Sequence, residues 1–192
     1  MRAEVARRLV HASGAGAPAL YLLELVTWEQ LRLGAIVGIV VTLVLEIVRL
    51  QVGLDWWVFD KLTREYEQEN LAGYALYMFS GSAVILTFEP SIAVPAVLML
   101  TLGDPVSGLA GSGELRRVKR PEVMALMFGV CLALALPFLR PSVAALAAAA
   151  ATLADGVKPI IWGYVIDDNV TIPIAAAVAG QAGLWYLPEL FV

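Results

Sequence analysis

The chain has 192 residues, of which 60% are hydrophobic and 16% are charged, and its formal net charge is −4. Ordinary soluble domains are ~45–50% apolar and ~25% charged, so this composition excludes a disordered chain and disfavours a soluble globular domain. The mild negative charge excludes the basic footprint of a nucleic-acid-binding protein, and the single cysteine, Cys131, excludes an internal disulfide.

Apolar segments in chain order predict an all-α, polytopic transmembrane bundle of about seven spans, forming a single integral membrane domain over residues 1–192. The segments are Gly14–Val26, Leu33–Val48, Leu71–Phe88, Ile92–Leu109, Val123–Leu139, Val143–Leu153 and Ile172–Leu187. The first and sixth are short for a hydrocarbon layer of ~30 Å, so the count is open by one. Seven spans leave only short connections, so any chemistry must use helix ends and loops at the membrane surface.

The distribution of basic residues predicts a cytoplasmic N-terminus. With this orientation only Arg32 and Arg140 of the 13 Lys and Arg residues lie outside. The other eleven are Arg2, Arg7, Arg8, Arg49, Lys61, Arg64, Arg116, Arg117, Lys119, Arg120 and Lys158. The same orientation gathers four acids at the cytoplasmic face of the cell membrane, namely Asp104, Asp155, Asp167 and Asp168.

Two polar groups occur in the first 50 residues of the chain. Arg7-Arg8-Leu9-Val10-His11 precedes the first predicted span, and His11 can orient a phosphate or exchange a proton near pH 7. A structural interfacial histidine is the alternative. Glu46 and Arg49 lie three residues apart on one helix face and predict an ion pair. Charges within a span are functional candidates, although snorkelling near the interface is also sufficient to explain this pair.

A glycine-rich motif, Gly103-Asp104-Pro105-Val106-Ser107-Gly108, is predicted to end an apolar helix and open a cytoplasmic loop. Glycine backbone N–H groups can approach a phosphate closely, and Asp104 can hold Mg²⁺ beside it. Glu114 and Leu115 stand where a Walker A loop requires Lys and Ser/Thr, so that motif is excluded. A glycine-rich turn is the alternative interpretation. The candidate nucleotide-binding glycines are Gly103, Gly108, Gly111 and Gly113.

Two further polar runs complete the candidates. Arg116-Arg117-Val118-Lys119-Arg120 can bind a triphosphate through Arg116, Arg117 and Lys119, or can act only as a positive-inside anchor. Asp167-Asp168-Asn169 offers carboxylate and amide oxygens that suit Mg²⁺. Asn169 can instead cap the last helix, but that interpretation leaves the two adjacent acids unexplained.

Taken together, these motifs resemble the dolichol kinase and phytol kinase family of membrane proteins. The resemblance rests on Arg7–His11, on Glu46 and Arg49, on Gly103-Asp104-Pro105 with Gly108 and Gly111, and on Asp168-Asn169-Val170-Thr171-Ile172-Pro173. The order of the motifs matches, and they span nearly the whole chain. The chain departs from the family pattern after the glycine motif, where Lys119-Arg120-Pro121-Glu122 replaces a Lys-Ser/Thr and Glu-Gly stretch.

The resemblance implies a CTP-dependent kinase that phosphorylates the terminal hydroxyl of an isoprenoid alcohol in the bilayer, with Mg²⁺ as cofactor. It implies that residues 103–119 bind CTP, and that Asp104 and Asp168 are the metal-binding carboxylates. Asp167 and Asn169 join these two as catalytic candidates. The residues expected to contact or support the lipid head group are Arg8, His11, Glu46 and Arg49.

Two other functions remain open. The wider superfamily includes cytidylyltransferases that make CDP-activated lipids, including archaeal ether lipids, although the Ser-x-x-Lys-Arg…Asp signature of the phosphatidate enzymes is not visible. A small transporter is the second alternative, but the chain has no clear internal repeat and its charges cluster at one face. The sequence leaves the identity of the alcohol and the oligomeric state open.

Overall fold

The structure is a computed structural model that describes residues 2–53, 63, 70–111, 118–157, 160–161 and 164–187. Side chains are described over the same ranges except for residues 2–7, 160–161 and 164–165.

The described chain is helical, as the apolar segments predict. The first half contains α1 (Arg2–Ser13), α2 (Gly16–Leu22), α3 (Trp28–Ile47), α4 (Gly73–Thr87), α5 (Pro90–Leu98) and α6 (Asp104–Ala110). The second half contains α7 (Pro121–Ala135), α8 (Pro141–Gly156) and α9 (Asp168–Tyr186). Two strands of two residues each, β1 (Ile160–Ile161) and β2 (Tyr164–Val165), pair antiparallel between α8 and α9. This hairpin lies in the stretch between the last two predicted spans.

Two helical segments within the described residues are long and apolar enough to cross a membrane. One is α3 with the π-helical turn Val48–Val52, and the other joins α5 to α6 through the π-helical turn Met99–Gly103. The first ends at Gly53, whose φ of +67° is a left-handed conformation that glycine adopts without a steric penalty. The first predicted span, Gly14–Val26, contains only the seven-residue helix α2. The seven-span count therefore stays a prediction.

The two long segments differ in their surroundings. The most apolar window of Pro90–Ala110 is 67% buried, so α5 and its π-helical turn form the centre of the bundle. The corresponding window in Trp28–Val52 is only 22% buried. Much of α3 therefore presents Val, Leu and Ile side chains outward, including Val37, Val41 and Val44. A continuous apolar face of this kind is unusual on a water-soluble monomer.

Helix α3 begins with a capping box. The Thr27 side chain accepts a hydrogen bond from the Gln30 backbone N–H, and the Gln30 side chain accepts one from the Thr27 N–H. These bonds satisfy two of the donors that a helix N-terminus leaves without intrahelical partners. Arg32, one turn further on, donates to the Leu86 carbonyl at 2.7 Å and so joins the start of α3 to the end of α4.

Helices α8 and α9 position the candidate site. They are neighbours in the bundle, and the short β hairpin returns the chain from the end of α8 to the start of α9. The C-terminal turn of α8 and the N-terminal turn of α9 therefore lie at the same end of the bundle. The Thr171 hydroxyl, which donates to the Ala154 carbonyl at 3.3 Å, holds these two turns together.

Candidate metal centre

Three carboxylates from three separate helices converge at this end of the bundle. Asp104 is the first residue of α6, Asp155 lies in the last turn of α8, and Asp168 is the first residue of α9. One oxygen atom from each lies within 4.8 Å of the other two. Their mutual repulsion makes this arrangement unfavourable without a cation, and carboxylate oxygens are the ligands that Mg²⁺ prefers.

Asp155 is the buried member of the cluster. Its side chain is fully buried, and both of its oxygens accept short hydrogen bonds. Ser107 Oγ donates to Oδ2 at 2.6 Å, and Lys119 Nζ donates to Oδ1 at 2.6 Å. Lys119 Nζ also lies 3.1 Å from Ser107 Oγ. In contrast, Asp104 and Asp168 are partly exposed, so they are the members that solvent and a ligand can reach.

The start of α9 is fixed by Asp167 and α4. Asp167 is the N-cap residue, and its Oδ1 accepts the Asn169 backbone N–H at 2.9 Å. The Asn169 carbonyl accepts a hydrogen bond from Ser80 of α4 at 2.6 Å. The structure thus gives Asp167, rather than Asn169, the capping position. Asn169 Oδ1 is buried and accepts no hydrogen bond from the described residues.

Helix α1 lies against the helix that carries Asp104. His11 Nε2 lies 3.0 Å from the Leu100 carbonyl oxygen, and the same nitrogen is 3.8 Å from Asp104 Oδ2. A carbonyl only accepts hydrogen bonds, so Nε2 carries a proton. The His11 ring stacks edge-on with Tyr77, with 4.5 Å between centroids, and the Tyr77 hydroxyl donates to the His11 carbonyl at 3.2 Å.

Burial lowers the pKa of His11 below its ordinary value of 6.5, although the Leu100 carbonyl and the negative charge of Asp168 both oppose this shift. The imidazole is therefore neutral near pH 7. A neutral ring with Nε2 protonated suits a positioning role better than proton uptake at that pH. His11 thus braces α1 against the π-helical turn that precedes Asp104.

Arg8 reaches the same helix one turn earlier on α1. Its Nη1 lies 3.5 Å from the Pro105 carbonyl oxygen. A methyl group built onto Gly108 would lie 1.5 Å from that nitrogen. The absence of a side chain at Gly108 therefore creates the space that the Arg8 guanidinium fills, and this explains the glycine independently of any phosphate.

The glycine motif is helical where the sequence predicts a loop. Gly103 ends the π-helical turn and Gly108 lies inside α6, so the chain leaves the helix only at Gly111. Pro105 lies in the first turn of α6, directly after the π-helical turn. Gly103 is buried, and an added Cβ would lie 3.1 Å from Met127 and 3.3 Å from Cys131, so close packing against α7 explains it.

The remaining predicted residues either lie outside the described part of the chain or have partners elsewhere in the bundle. Gly113, Arg116 and Arg117 lie outside the described residues. Glu46 and Arg49 form an ion pair at the end of α3, with Arg49 Nη2 2.7 Å from Glu46 Oε2. The same carboxylate accepts hydrogen bonds from the Ala72 backbone N–H and the Tyr74 hydroxyl, so it fastens the start of α4. Glu46 and Arg49 are predicted either to contact the lipid head group or to support its site, and this arrangement favours the supporting role.

Asp155 and Ser107 are the two residues of the cluster that were not among the predicted site residues. The sequence analysis groups Asp155 with Asp104 and Asp168 at one predicted face, but it finds no motif around Asp155, because Leu153-Ala154-Asp155-Gly156 resembles an ordinary helix end. An acid that follows a long alanine-rich apolar run is the signal that points to it, since a charge there needs a partner.

The oxygen-rich donor set fits a hard divalent cation such as Mg²⁺. Asp104 and Asp168 could serve as the accessible ligands of such an ion, and the buried Asp155 could add a third carboxylate. Asn169 follows Asp168 in the sequence. Its buried Oδ1 accepts no hydrogen bond from the described residues, so it is a further oxygen atom that a bound ligand could contact. Comparisons with protein-family models, curated proteins and solved structures give no match.

Proposed function

We propose that this protein is a membrane-embedded, Mg²⁺-dependent kinase that transfers the γ-phosphoryl group of CTP to the terminal hydroxyl of an isoprenoid alcohol. The observation that carries the proposal is the convergence of Asp104, Asp155 and Asp168 from three helices. Phosphoryl transfer depends mainly on positioning and charge neutralisation, and a carboxylate-held divalent ion supplies both. The choice of CTP and of an isoprenoid alcohol rests on the sequence resemblance.

The membrane setting is supported by the exposed apolar face of α3, which would be costly in water and is ordinary in lipid. We propose a bundle of about seven spans with a cytoplasmic N-terminus and the carboxylate cluster at the cytoplasmic face of the cell membrane. The two basic residues assigned to the outer side both bind carbonyls near helix C-termini. Arg32 donates to Leu86, and Arg140 donates to Leu187 at 2.7 Å, which accounts for a cation at each position.

In the proposed reaction the lipid hydroxyl oxygen attacks the γ-phosphorus of CTP. The bond from that phosphorus to the bridging oxygen breaks, CDP leaves, and the hydroxyl proton passes to a cluster carboxylate. Asp168 and Asp104 can reach this proton because both are partly exposed, whereas Asp155 is fully buried. Asp104 and Asp168 would hold Mg²⁺, which when bound would stabilise the negative charge of the phosphates. The lipid tail remains in the bilayer, and only its head group reaches the cluster.

Labelled CTP tests the reaction directly. Purified protein in detergent with Mg²⁺ and a panel of isoprenoid alcohols should transfer label from the γ-position of CTP to the lipid and release CDP. Label from the α-position should stay in the nucleotide. If lipid phosphates rather than alcohols are modified, and α-label enters the lipid while pyrophosphate is released, the protein is a cytidylyltransferase. If neither label enters any lipid, the kinase proposal is wrong.

A second prediction concerns the contact between Arg8 and Gly108. Gly108→Ala should displace the flexible guanidinium without unfolding the protein, and lower kcat/KM at least about tenfold, because displacing a group at the site by ~1 Å can cost up to ~100-fold. Arg8→Ala should cause a similar loss. Because both changes abolish the same position of the Arg8 guanidinium beside Gly108, kcat/KM of the double variant should be no lower than that of the less active single variant. Losses that multiply in the double variant would contradict this coupling.

A further inference from the structure

The side chain of Lys119 places a positive charge within the carboxylate cluster. Its ammonium lies 2.6 Å from Asp155 Oδ1 and 3.1 Å from Ser107 Oγ, and its side chain is 20% exposed where that of Asp155 is fully buried. The backbone holds it there as well. The Lys119 N–H donates to the Gly156 carbonyl at 2.9 Å, and Val118 forms an isolated β-bridge with Val157. The lysine is thus fastened to the end of α8, beside the carboxylate that it neutralises.

The charges of the cluster can be counted. When all three are ionised, as ligands of a metal ion would be, Asp104, Asp155 and Asp168 carry three negative charges. Lys119 supplies one positive charge, so the remainder of two matches one divalent cation. Arg8 is a further positive neighbour of Asp104. Phosphoryl-transfer centres that use two metal ions hold them ~3.5–4 Å apart between shared carboxylates. Here the Lys119 ammonium already contacts Asp155 Oδ1, and a second metal ion would need this oxygen atom as a ligand.

We propose that Lys119 occupies the place of a second metal ion, so that the cluster binds one divalent cation and not two. This inference rests on the proposed function, because it assumes that the carboxylates bind a metal. It assigns Lys119 to the metal centre itself, whereas the sequence resemblance predicts a contact with the nucleotide. It also explains why Asp155 is buried and fully hydrogen-bonded while Asp104 and Asp168 remain accessible.

The test is the Mn²⁺ stoichiometry of the purified full-length chain in detergent, measured without nucleotide from the free Mn²⁺ signal in electron paramagnetic resonance. The wild-type protein should bind one Mn²⁺ at this centre. Lys119→Ala removes the ammonium and opens Asp155 to solvent, so this variant should bind two. Lys119→Gln gives a second uncharged variant if the alanine variant does not fold, and the same increase is expected.

Two variants serve as matched controls. Arg120→Ala removes the adjacent, exposed cation, whose Nη2 contacts the Ala110 carbonyl at 3.4 Å, and it should still bind one Mn²⁺. Lys119→Arg keeps the charge and should also bind one. Two ions in the wild-type protein, or one in both the wild type and the uncharged variants, would overturn the inference and leave the metal centre intact. Absence of Mn²⁺ binding to the wild type would overturn the metal centre itself.

Discussion

Replacing Asp104 with asparagine is expected to lower kcat/KM for the lipid alcohol at least about a hundredfold while the protein still folds. Loss of a group that merely supports a metal ligand costs ~10–100-fold, so loss of a ligand's charge should cost at least as much. Asparagine keeps the shape of the side chain and removes one of three mutually repelling charges. The thermal stability of the metal-free protein should therefore be unchanged or higher, and Mn²⁺ affinity should fall together with activity.

Glu122→Gln is the matched control for Asp104→Asn. Glu122 is an exposed acid in the first turn of α7 and is not one of the clustered carboxylates. Its neutralisation should leave the rate and the Mn²⁺ affinity within about twofold of wild type, as expected for an exposed surface charge screened by salt. Wild-type turnover by Asp104→Asn would remove Asp104 from the metal centre, whatever the behaviour of the control.

Glu46→Gln is expected to destabilise the protein by about 3–5 kcal/mol. Breaking one side of a buried ion pair removes the counter-charge of the other side chain, and the cost of this change falls in this range. The Glu46 and Arg49 side chains are only 4% and 7% exposed, and the Glu46 carboxylate also binds the Ala72 N–H and the Tyr74 hydroxyl. The measurement is the free energy of unfolding in mixed micelles, obtained by titration with a denaturing detergent.

A second ion pair on the same helix provides a comparison for the Glu46→Gln variant. Helix α3 carries a second Glu–Arg pair with the same three-residue spacing, Glu29 and Arg32, at its other end. Here the carboxylate is 80% exposed and the nitrogen–oxygen distance is 3.5 Å. Glu29→Gln should therefore change the unfolding free energy by less than about 1 kcal/mol. Equal effects from the two substitutions would show that burial does not govern the strength of the Glu46–Arg49 pair.

The sequence predicted the helical class because apolar runs separated by Pro, Gly and charged residues leave few alternatives. Helices α7 and α8 both begin at proline, at the first helical position that proline favours. Span length was harder to predict. Residues 14–26 form an apolar run, but the helix is interrupted by a turn near Gly14 and continues only as far as Leu22. Hydropathy measures composition and does not detect such a break.

The candidate site could be predicted only in part. Asp104 and Asp168 stood in recognisable motifs at helix ends, and the structure brings them together. Asp155 could not be paired with them from sequence, because its proximity depends on how α8 packs against α9 and on the path of the hairpin between them. The roles of Gly103 and Gly108 were equally hidden. Both glycines make room for side chains from other helices, and local sequence carries no information about those partners.

The π-helical turn at Met99–Gly103 has a consequence for how this protein can change over evolution. It accommodates one residue more than an α-helical turn, and each residue of an α-helix rotates the following side chains by about 100°. Loss or gain of a single residue between Leu98 and Asp104 would rotate the Asp104 side chain about the helix axis, away from Asp155 and Asp168. Descendants of this gene should therefore vary in side chains along α5 while keeping its length constant, and insertions should accumulate elsewhere.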